Sequence, residues 1–374
     1  MSWKRAIVNL GKVTRDFFSE DLQNIYYKYY FLQMGRNYFK GKIKNHDTRY
    51  IIDSRKYWKK HTGLNINTMW HEYYSQSNGI KDVRYVPENI YYAYIEPFFN
   101  RKTFIPCCDD KCYYSERFPE SAASCGVQRP KTILRNINGL FFDEKFNILK
   151  FEEAVALLSG IESGYVIKES ITGTGGNRII FVERGIKKNR GDIQNIFRKY
   201  SKDYVVEELI DQCKELSALN PTSINTVRFI TFMNEDGVYI LSAVMRIGGN
   251  GSRTDNFSTG GIACGINEQG ILKPVGYDHA YNKYVKIHPN GHKFAGVKVP
   301  SFDVASKLVK ELHRRFGHFR IISWDVAIGD NYQPILIEFN LTPQSIDFHQ
   351  INNGPLFGKL TMDILKEVFE KKNI

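Results

Sequence analysis

The sequence predicts an α+β fold preceded by a basic, largely helical N-terminal region. Short apolar runs bounded by Gly, Asn and Asp alternate with segments of helical periodicity, which indicates both strands and helices. The chain has 374 residues, of which 42% are hydrophobic and 25% charged, as is typical of a globular protein with two or three domains. We expect domains at residues 1–105, 106–210 and 211–374.

Basic residues are concentrated at the N terminus. Residues 1–60 contain 14 Lys or Arg and five Asp or Glu, so they carry +9 of the net charge of +12. This excess indicates an anionic partner, either a membrane surface or a polymer, with nucleic acid less favoured. The alternative is a solvated helical cap over the main domain, because residues 17–44 have helical periodicity with Ser19 placed to cap them.

The sequence also bears on cellular location. No apolar run reaches 18 residues, so we expect no transmembrane helix. The first residues lack the apolar stretch of a signal peptide. The six cysteines do not have the spacing of zinc ligands, and we expect free thiols. We therefore expect a cytoplasmic protein, with peripheral attachment to the inner membrane face left open.

The middle of the chain carries two features that favour anion binding. An apolar strand contains Lys168, and a buried lysine is costly unless an anion meets it. The glycine-rich stretch 172–177 follows and includes Thr174, Gly175 and Gly176. Glycines let backbone N–H groups approach phosphate oxygens, although a plain glycine turn is the alternative.

Two later strands each contain an arginine within an apolar run. Residues 224–233 and 238–248 are expected to pair around a turn, with Arg228 on one strand and Arg246 on the other. Two buried guanidinium groups on neighbouring strands require an anion between them, and phosphate and carboxylate have the matching geometry. Asn256 follows in a second glycine-containing stretch.

A hairpin near the C terminus carries the candidate metal site. The runs 321–328 and 334–340 flank a polar turn, and Glu338 and Asn340 point to one face because they are two residues apart. Asp325 is expected opposite Glu338. Three oxygen donors on one side suit Mg²⁺, which takes few protein oxygens and completes its shell with phosphate oxygens and water. The alternative is an ordinary half-exposed hairpin with a polar outer face.

The expected register of this hairpin rests on the length of its loop. With a six-residue loop at 329–334, Ile328 pairs with Ile335, and counting back places the two acids opposite each other. The apolar face of the second run is then formed by Ile335, Ile337 and Phe339.

The motifs occur in a recognisable order. Along residues 105–374 they are Asp110-Lys111, VIK ending at Lys168, GTGG, VVEELI, INTVR, MRIG, DNFSTGG and the hairpin. This succession resembles the ATP-grasp superfamily, and more closely its sugar-transfer-associated family, which is related to amino-acid ligases. The resemblance implies an ATP-grasp fold, in which two α+β subdomains clamp ATP. It implies Lys111 and Lys168 as phosphate lysines, with Lys102 and Lys131 as alternatives to Lys111.

The resemblance also implies a role for the other motifs. The glycine-rich stretch would be a flap over the triphosphate. The VVEELI segment would hold adenine, and Glu215 or Gln212 would accept a ribose hydroxyl, although a charged helix start is the alternative. Arg228 and Arg246 would steady a carboxylate and the transferred phosphoryl group. The adenine-binding candidates are Glu207, Glu208, Leu209 and Ile210. The implied Mg²⁺ ligands are Asp325, Glu338 and Asn340.

The implied activity is that of an ATP-dependent carboxylate–amine ligase working through an acylphosphate. Its substrates would be an amino acid or amine and a sugar or uronic acid, in polysaccharide or cell-envelope biosynthesis. Two alternatives stay open. One is an ATP-grasp kinase that phosphorylates a hydroxyl, and the other is a non-catalytic protein that binds an anionic polymer or membrane through its basic N terminus.

Overall fold

The computed structural model of the protein describes residues 20–171, 179–249, 251–257, 260–284 and 291–370, with side chains from Asn24 onward. The expected cap at Ser19 and the flap candidates Thr174, Gly175 and Gly176 lie outside the described residues. Within these residues helices and antiparallel sheets are both present, so the predicted α+β class is confirmed.

Along the chain, helical segments come first, strands and helices are then interspersed, and helices follow the last strand. The longer helices are α1 (Glu20–Phe39), α2 (Thr48–Thr62), α3 (Met69–Asn78), α4 (Phe151–Ser159), α5 (Arg190–Tyr200), α6 (Phe302–His313), α7 (Ile346–Asn353) and α8 (Thr361–Glu370). Short helical turns span Glu88–Ile90, Tyr91–Ile95, Glu96–Phe99, Lys102–Phe104, Ile105–Cys108, Lys111–Tyr113, Tyr114–Arg117, Glu120–Ala122, Lys214–Ser217 and Gly358–Leu360. The strands are β1 (Thr132–Ile137), β2 (Leu140–Phe142), β3 (Ile148–Leu149), β4 (Tyr165–Glu169), β5 (Ile180–Val182), β6 (Tyr204–Glu208), β7 (Thr226–Asn234), β8 (Gly237–Ile247), β9 (Ile262–Ile266), β10 (Leu272–Asp278), β11 (Lys283–Tyr284), β12 (Ile321–Ile328) and β13 (Pro334–Asn340).

The chain folds into two compact units. The helical unit comprises Met1–Lys102 and Thr342–Ile374, and the two-sheet unit comprises Thr103–Leu341. The C-terminal helices, which the sequence analysis assigned to the last domain, thus group with the N-terminal region. Gln350 on α7 shows why, since its amide exchanges hydrogen bonds of 2.8 and 2.9 Å with the backbone of Val86. No helix of the described residues is long and apolar enough to cross a membrane.

The first sheet of the two-sheet unit has the strand order β3-β2-β1-β6-β4-β5, and its neighbouring strands are antiparallel. Helices α4 and α5 supply one side of its core through Ala154, Leu158, Ile193 and Phe197, all buried. Their apolar residues recur at helical spacing, which is the pattern that predicted these helices. Helices α4 and α5 therefore cover one face of this sheet.

The second sheet has the order β11-β10-β9-β8-β7-β12-β13 and is likewise antiparallel. Strands β7 and β8 pair around the predicted turn. Behind the terminal hairpin, Trp324 stacks on Phe339 with ring centroids 5.7 Å apart, and Phe118 and Phe316 pack against both rings. Because side chains alternate along a strand, this apolar layer directs Asp325 and Glu338 to the opposite face.

The register of the hairpin confirms the pairing that matters for the site. Asp325 lies opposite Glu338, as predicted, and Asn340 lies opposite Ser323. Residues opposite each other in an antiparallel pair share a face, so the two acids lie on the same side of the sheet. Asn340 is two residues beyond Glu338 and joins them there.

Two details of the predicted hairpin are wrong. Ile328 pairs with Pro334 and not with Ile335, because the loop has one residue fewer than expected. A bulge leaves Ile337 without a partner and restores the register of the acids. The bulge also shifts the alternation of side chains, so the core contains Leu336 together with Phe339, and the expected face of Ile335, Ile337 and Phe339 does not form.

Candidate functional site

Four adjacent strands of the second sheet carry charged side chains at matching positions. Arg228 on β7 pairs in register with Asp325 on β12, and Asp325 pairs with Glu338 on β13. Arg246 lies on β8, the other neighbour of β7. The register of the sheet alone therefore gathers two arginines and two acids.

Asp325 is the centre of this group. Arg228 donates from Nε to Oδ1 at 2.7 Å and from Nη2 to Oδ2 at 2.5 Å, and Arg246 donates from Nη1 to Oδ2 at 2.8 Å. Burial would raise the pKa of Asp325, but the two guanidinium groups outweigh it and lower the pKa to about 2. The anion that the sequence required between the arginines is thus a carboxylate of the protein itself.

Arg246 is held at its other end by a residue that sequence reasoning missed. Its Nη2 lies 3.0 Å from Oδ1 of Asp255 and donates to Oδ1 of Asn256 at 2.8 Å. The hydroxyl of Thr226 also donates to Asp255. The signal was present, since Asp255 immediately precedes Asn256 in the glycine-containing stretch, but an acid in a loop is ordinarily solvated.

Lys111 is the lysine that the structure brings to the acids. Its Nζ lies 2.9 Å from Oε1 of Glu338, and its backbone N–H donates to the carbonyl of Ser170 at the end of β4. Burial would lower the pKa of Lys111, but the Glu338 carboxylate raises it. Of the other candidates, Lys102 donates to Oδ1 of Asn24 at 3.3 Å within the helical unit, and Lys131 is largely exposed.

Lys168 lies on β4, its side chain is 13% exposed, and it has a carboxylate partner. Its Nζ lies 2.6 Å from Oε2 of Glu207 on the neighbouring strand β6. One oxygen of Glu207 is therefore used by an ion pair within the sheet, and the adenine contact that the sequence analysis considered for this residue stays a prediction.

The remaining candidates for nucleoside binding follow β6. Glu208 is half-exposed, and the N–H of Leu209 makes a long hydrogen bond of 3.4 Å. Among the described residues, the N–H of Ile210 donates to no acceptor. Glu215 accepts a hydrogen bond from the Tyr332 hydroxyl at 3.1 Å through Oε1, whereas its Oε2 is buried and receives none from any described group.

The uncommitted oxygens show where a divalent cation would fit. Oε2 of Glu338 and the side-chain amide of Asn340 make no hydrogen bond with described residues, and Nδ2 of Asn340 is buried. These two side chains suit Mg²⁺, which needs few protein oxygens. Asp325 suits it poorly, because its oxygens already accept three hydrogen bonds. No three His, Cys, Asp or Glu of the described residues form a metal-binding group.

Comparisons with known proteins place these features in a family. The profile of the sugar-transfer associated ATP-grasp family matches residues 91–364. None of the curated proteins matches the chain.

Similar solved structures include three enzymes. The biotin carboxylase domain of 2-oxoglutarate carboxylase from Hydrogenobacter thermophilus is 13% identical, with 70% of this chain and 46% of that chain covered and a TM-score of 0.39. An L-amino acid ligase from Bacillus licheniformis is 11% identical, with 70% and 49% covered and a TM-score of 0.37. The ATP-grasp ligase PsnB with its minimal precursor is 13% identical, with 72% and 64% covered and a TM-score of 0.39. The chain thus spans about half to two thirds of the length of these structures.

Proposed function

Because the chain belongs to the sugar-transfer-associated ATP-grasp family, we propose that it is an ATP-dependent ligase that joins a carboxylate to an amine. ATP would phosphorylate the carboxylate, and the amine would then attack the acylphosphate and release phosphate. The proposed substrates are an amino acid or amine and a sugar or uronic acid, in polysaccharide or cell-envelope biosynthesis. The cofactors would be ATP and Mg²⁺.

The observation that carries this proposal is the ion pair between Lys111 and Glu338. It joins a lysine tethered at the end of β4, in the first sheet, to an acid of β13, in the second sheet. A triphosphate lying between the sheets would therefore meet a cation and a metal-ligating acid at one point. Phosphoryl transfer depends on charge neutralisation and alignment more than on covalent help from the protein.

Each remaining group has a task in this scheme. Lys111 and Lys168 would neutralise the α- and β-phosphates. Glu338 and Asn340 would hold Mg²⁺, which when bound offsets charge on the β- and γ-phosphates. Arg228 would use Nη1, which makes no hydrogen bond with described residues, to orient the carboxylate or the transferred phosphoryl group.

The nucleoside would be held beside β6. The free N–H of Ile210 would donate to the adenine edge, with Glu208 and Leu209, the two preceding residues, beside the contact. The buried Oε2 of Glu215 would accept a ribose hydroxyl. The flap at 172–177 would close over the phosphates and exclude water, which matters because acylphosphates hydrolyse.

Two substitutions test this assignment. Lys168→Ala and Glu338→Gln should each lower Mg²⁺-dependent ATP turnover at least about 100-fold, because each removes a charge that contacts phosphate or metal. Lys187→Ala is the matched control, since Lys187 is an exposed lysine paired with Glu162. Phosphate release and amide formation are measured across amino acids and uronic acids. Wild-type turnover in both variants would refute the site, and a phosphorylated acceptor without free phosphate would identify a kinase.

We further propose that helix α2 attaches the protein to an anionic membrane surface at the inner face. The helix buries Tyr50, Ser54 and Trp58. Its opposite face is exposed and basic, and Ile52 is 43% exposed among the charges. Lipid headgroups match both the charge and the apolar residue, whereas a soluble polymer matches the charge alone. The exposed basic residues of α2 are Arg49, Arg55, Lys56, Lys59 and Lys60.

A further inference from the structure

Asp325 is predicted to bind a metal, but its observed contacts are with arginines. As a member of the predicted metal triad it should offer oxygens to Mg²⁺, whereas in the structure it is the counter-ion of Arg228 and Arg246. A carboxylate has about four lone-pair positions. Three of them accept hydrogen bonds from the guanidinium groups, and the side chain is only 3% exposed. Asp325 has little capacity left for a metal.

A cation at Asp325 would also meet like charge. Arginine does not lose its proton in proteins, so Arg228 and Arg246 stay positive within 3 Å of the Asp325 oxygens. A divalent ion would have to displace one of these groups or lie beside both. Glu338 has one such cation, Lys111, at 2.9 Å from Oε1, but its Oε2 accepts no hydrogen bond from described residues, and the Asn340 amide is uncommitted.

The contacts of Asp325 instead leave the arginines in fixed orientations. Arg246 is held by Asp325 at Nη1 and by Asp255 and Asn256 at Nη2. Arg228 is held at Nε and Nη2, which leaves one edge of its guanidinium for a ligand. Donors that are oriented before the ligand arrives need no reorganisation when charge develops on it.

We propose that Asp325 is a positioning residue that fixes Arg228 and Arg246, and that Glu338 and Asn340 are the residues of this chain that bind the divalent cation. This inference rests on the proposed function, because it concerns the same nucleotide site. It differs from the sequence-based prediction, in which all three residues bind the metal. It also gives the two acids, which lie opposite each other in the sheet, separate tasks.

The experiment measures ADP affinity over a range of Mg²⁺ concentrations in the purified full-length protein. Glu338→Gln should raise the half-saturating Mg²⁺ concentration at least about tenfold, as the loss of a metal ligand does. Asp325→Asn should change it less than about threefold, yet lower ATP turnover at saturating Mg²⁺ at least about tenfold, because the arginines lose their orientation. This separation of metal affinity from turnover would not arise from a general loss of structure.

Thermal melting checks that each variant is folded. If Asp325→Asn does not fold, the double variant Asp325→Asn with Arg228→Gln, which removes one charge of each sign, takes its place in the Mg²⁺ titration. A rise in half-saturating Mg²⁺ equal to that of Glu338→Gln would overturn the inference and leave the proposed function intact. Absence of any Mg²⁺-dependent ADP binding by the wild-type protein would overturn both.

Discussion

Single side chains at the site differ in how much of their hydrogen-bonding capacity the protein itself uses. Glu215 gives one oxygen to Tyr332 and keeps the other buried without a donor. Gln212, the alternative for the ribose contact, is committed to Asn225, to which its amide donates at 2.6 Å and from which it accepts at 3.0 Å. A buried acceptor without a donor costs about 1–3 kcal/mol, so a ligand hydroxyl that reaches Glu215 gains a comparable amount.

This difference predicts a selective loss of affinity. Glu215→Ala should weaken ADP binding about tenfold, which corresponds to about 1.4 kcal/mol for one hydrogen bond. The same variant should bind 2′,3′-dideoxy-ADP as the wild type does, because that ligand has no ribose hydroxyl to donate. Calorimetric titration with both ligands measures the effect. Equal losses for the two nucleotides would show that Glu215 acts through the shape of the site.

Charged side chains illustrate what the sequence could and could not predict. The apolar residues around Arg228, Arg246 and Lys168 correctly predicted that each of these positive charges has an anionic partner. They did not identify the anion, since Asp325 is 97 residues from Arg228 and reaches it through the pairing of β12 with β7. Local sequence patterns predict that a buried charge needs a partner, but sheet register, a long-range property, decides which partner it has.

At the level of elements, the hairpin of β12 and β13 shows two errors that cancel. The loop is one residue shorter than predicted, and the bulge at Ile337 takes up that residue. The pairing of Asp325 with Glu338 is therefore correct although the reasoning that led to it was not. Turn residues in a sequence limit the length of a loop, whereas a bulge depends on how the strand packs against the sheet beneath it.

The exposed face of α2 leads to a prediction about membrane attachment. Lys56→Glu with Lys60→Glu should reduce sedimentation with phosphatidylglycerol vesicles at least about tenfold, because each basic residue near an anionic surface contributes about 1 kcal/mol. The matched control is Lys145→Glu with Lys187→Glu, which makes the same charge change on exposed residues of the two-sheet unit.

The outcomes of this experiment separate lipid from polymer. Binding to neutral phosphatidylcholine vesicles should be absent, and added salt should weaken binding to the anionic vesicles. Equal loss in the control variant would assign the effect to net charge. Tight binding to polyphosphate that α2 governs, without vesicle binding, would point to an anionic polymer instead.

On the scale of the whole molecule, a buried acid makes stability depend on pH. Glu96 is 2% exposed in the helical unit and accepts a hydrogen bond of 2.7 Å from Thr342. Burial raises the pKa of Glu96 from 4.5 to about 7. The folded protein therefore holds this proton more tightly than the unfolded chain does. The stabilising effect of this proton on the folded state is complete below pH 4.5 and is lost as pH rises to about 7.

Glu96→Gln should remove this dependence, because glutamine keeps the neutral form at every pH. Between pH 4.5 and 8, the free energy of unfolding should fall by up to about 3 kcal/mol more in the wild type than in the variant. Urea denaturation at both ends of this range measures it, and the difference between the two proteins cancels other titrating groups. Parallel pH profiles would mean that Glu96 keeps an ordinary pKa in the folded protein.

The division of the molecule into units was the least predictable feature. Residues 342–374 are separated from the N-terminal region by the whole two-sheet unit in sequence, yet they form one unit with it. Amphipathic periodicity predicts that α7 and α8 each bury one face, but it does not predict which part of the chain that face packs against. The positions of the sheet strands were more predictable, because turn residues delimit them locally.

The paired charges of the site have a consequence for how a nucleotide enters. Lys111, Lys168, Arg228 and Arg246 each have a carboxylate within 3.0 Å before any ligand arrives. At the two lysines, entry of the proposed nucleotide would therefore be an exchange of ion-pair partners and not an addition of charge to an empty cationic pocket, while Asp325 would keep its contacts with the two arginines. The observed affinity for a nucleotide would be the difference in free energy between its contacts with these side chains and the ion pairs that it replaces. A single small anion would therefore bind weakly, while a ligand that replaces several carboxylates at once is selected.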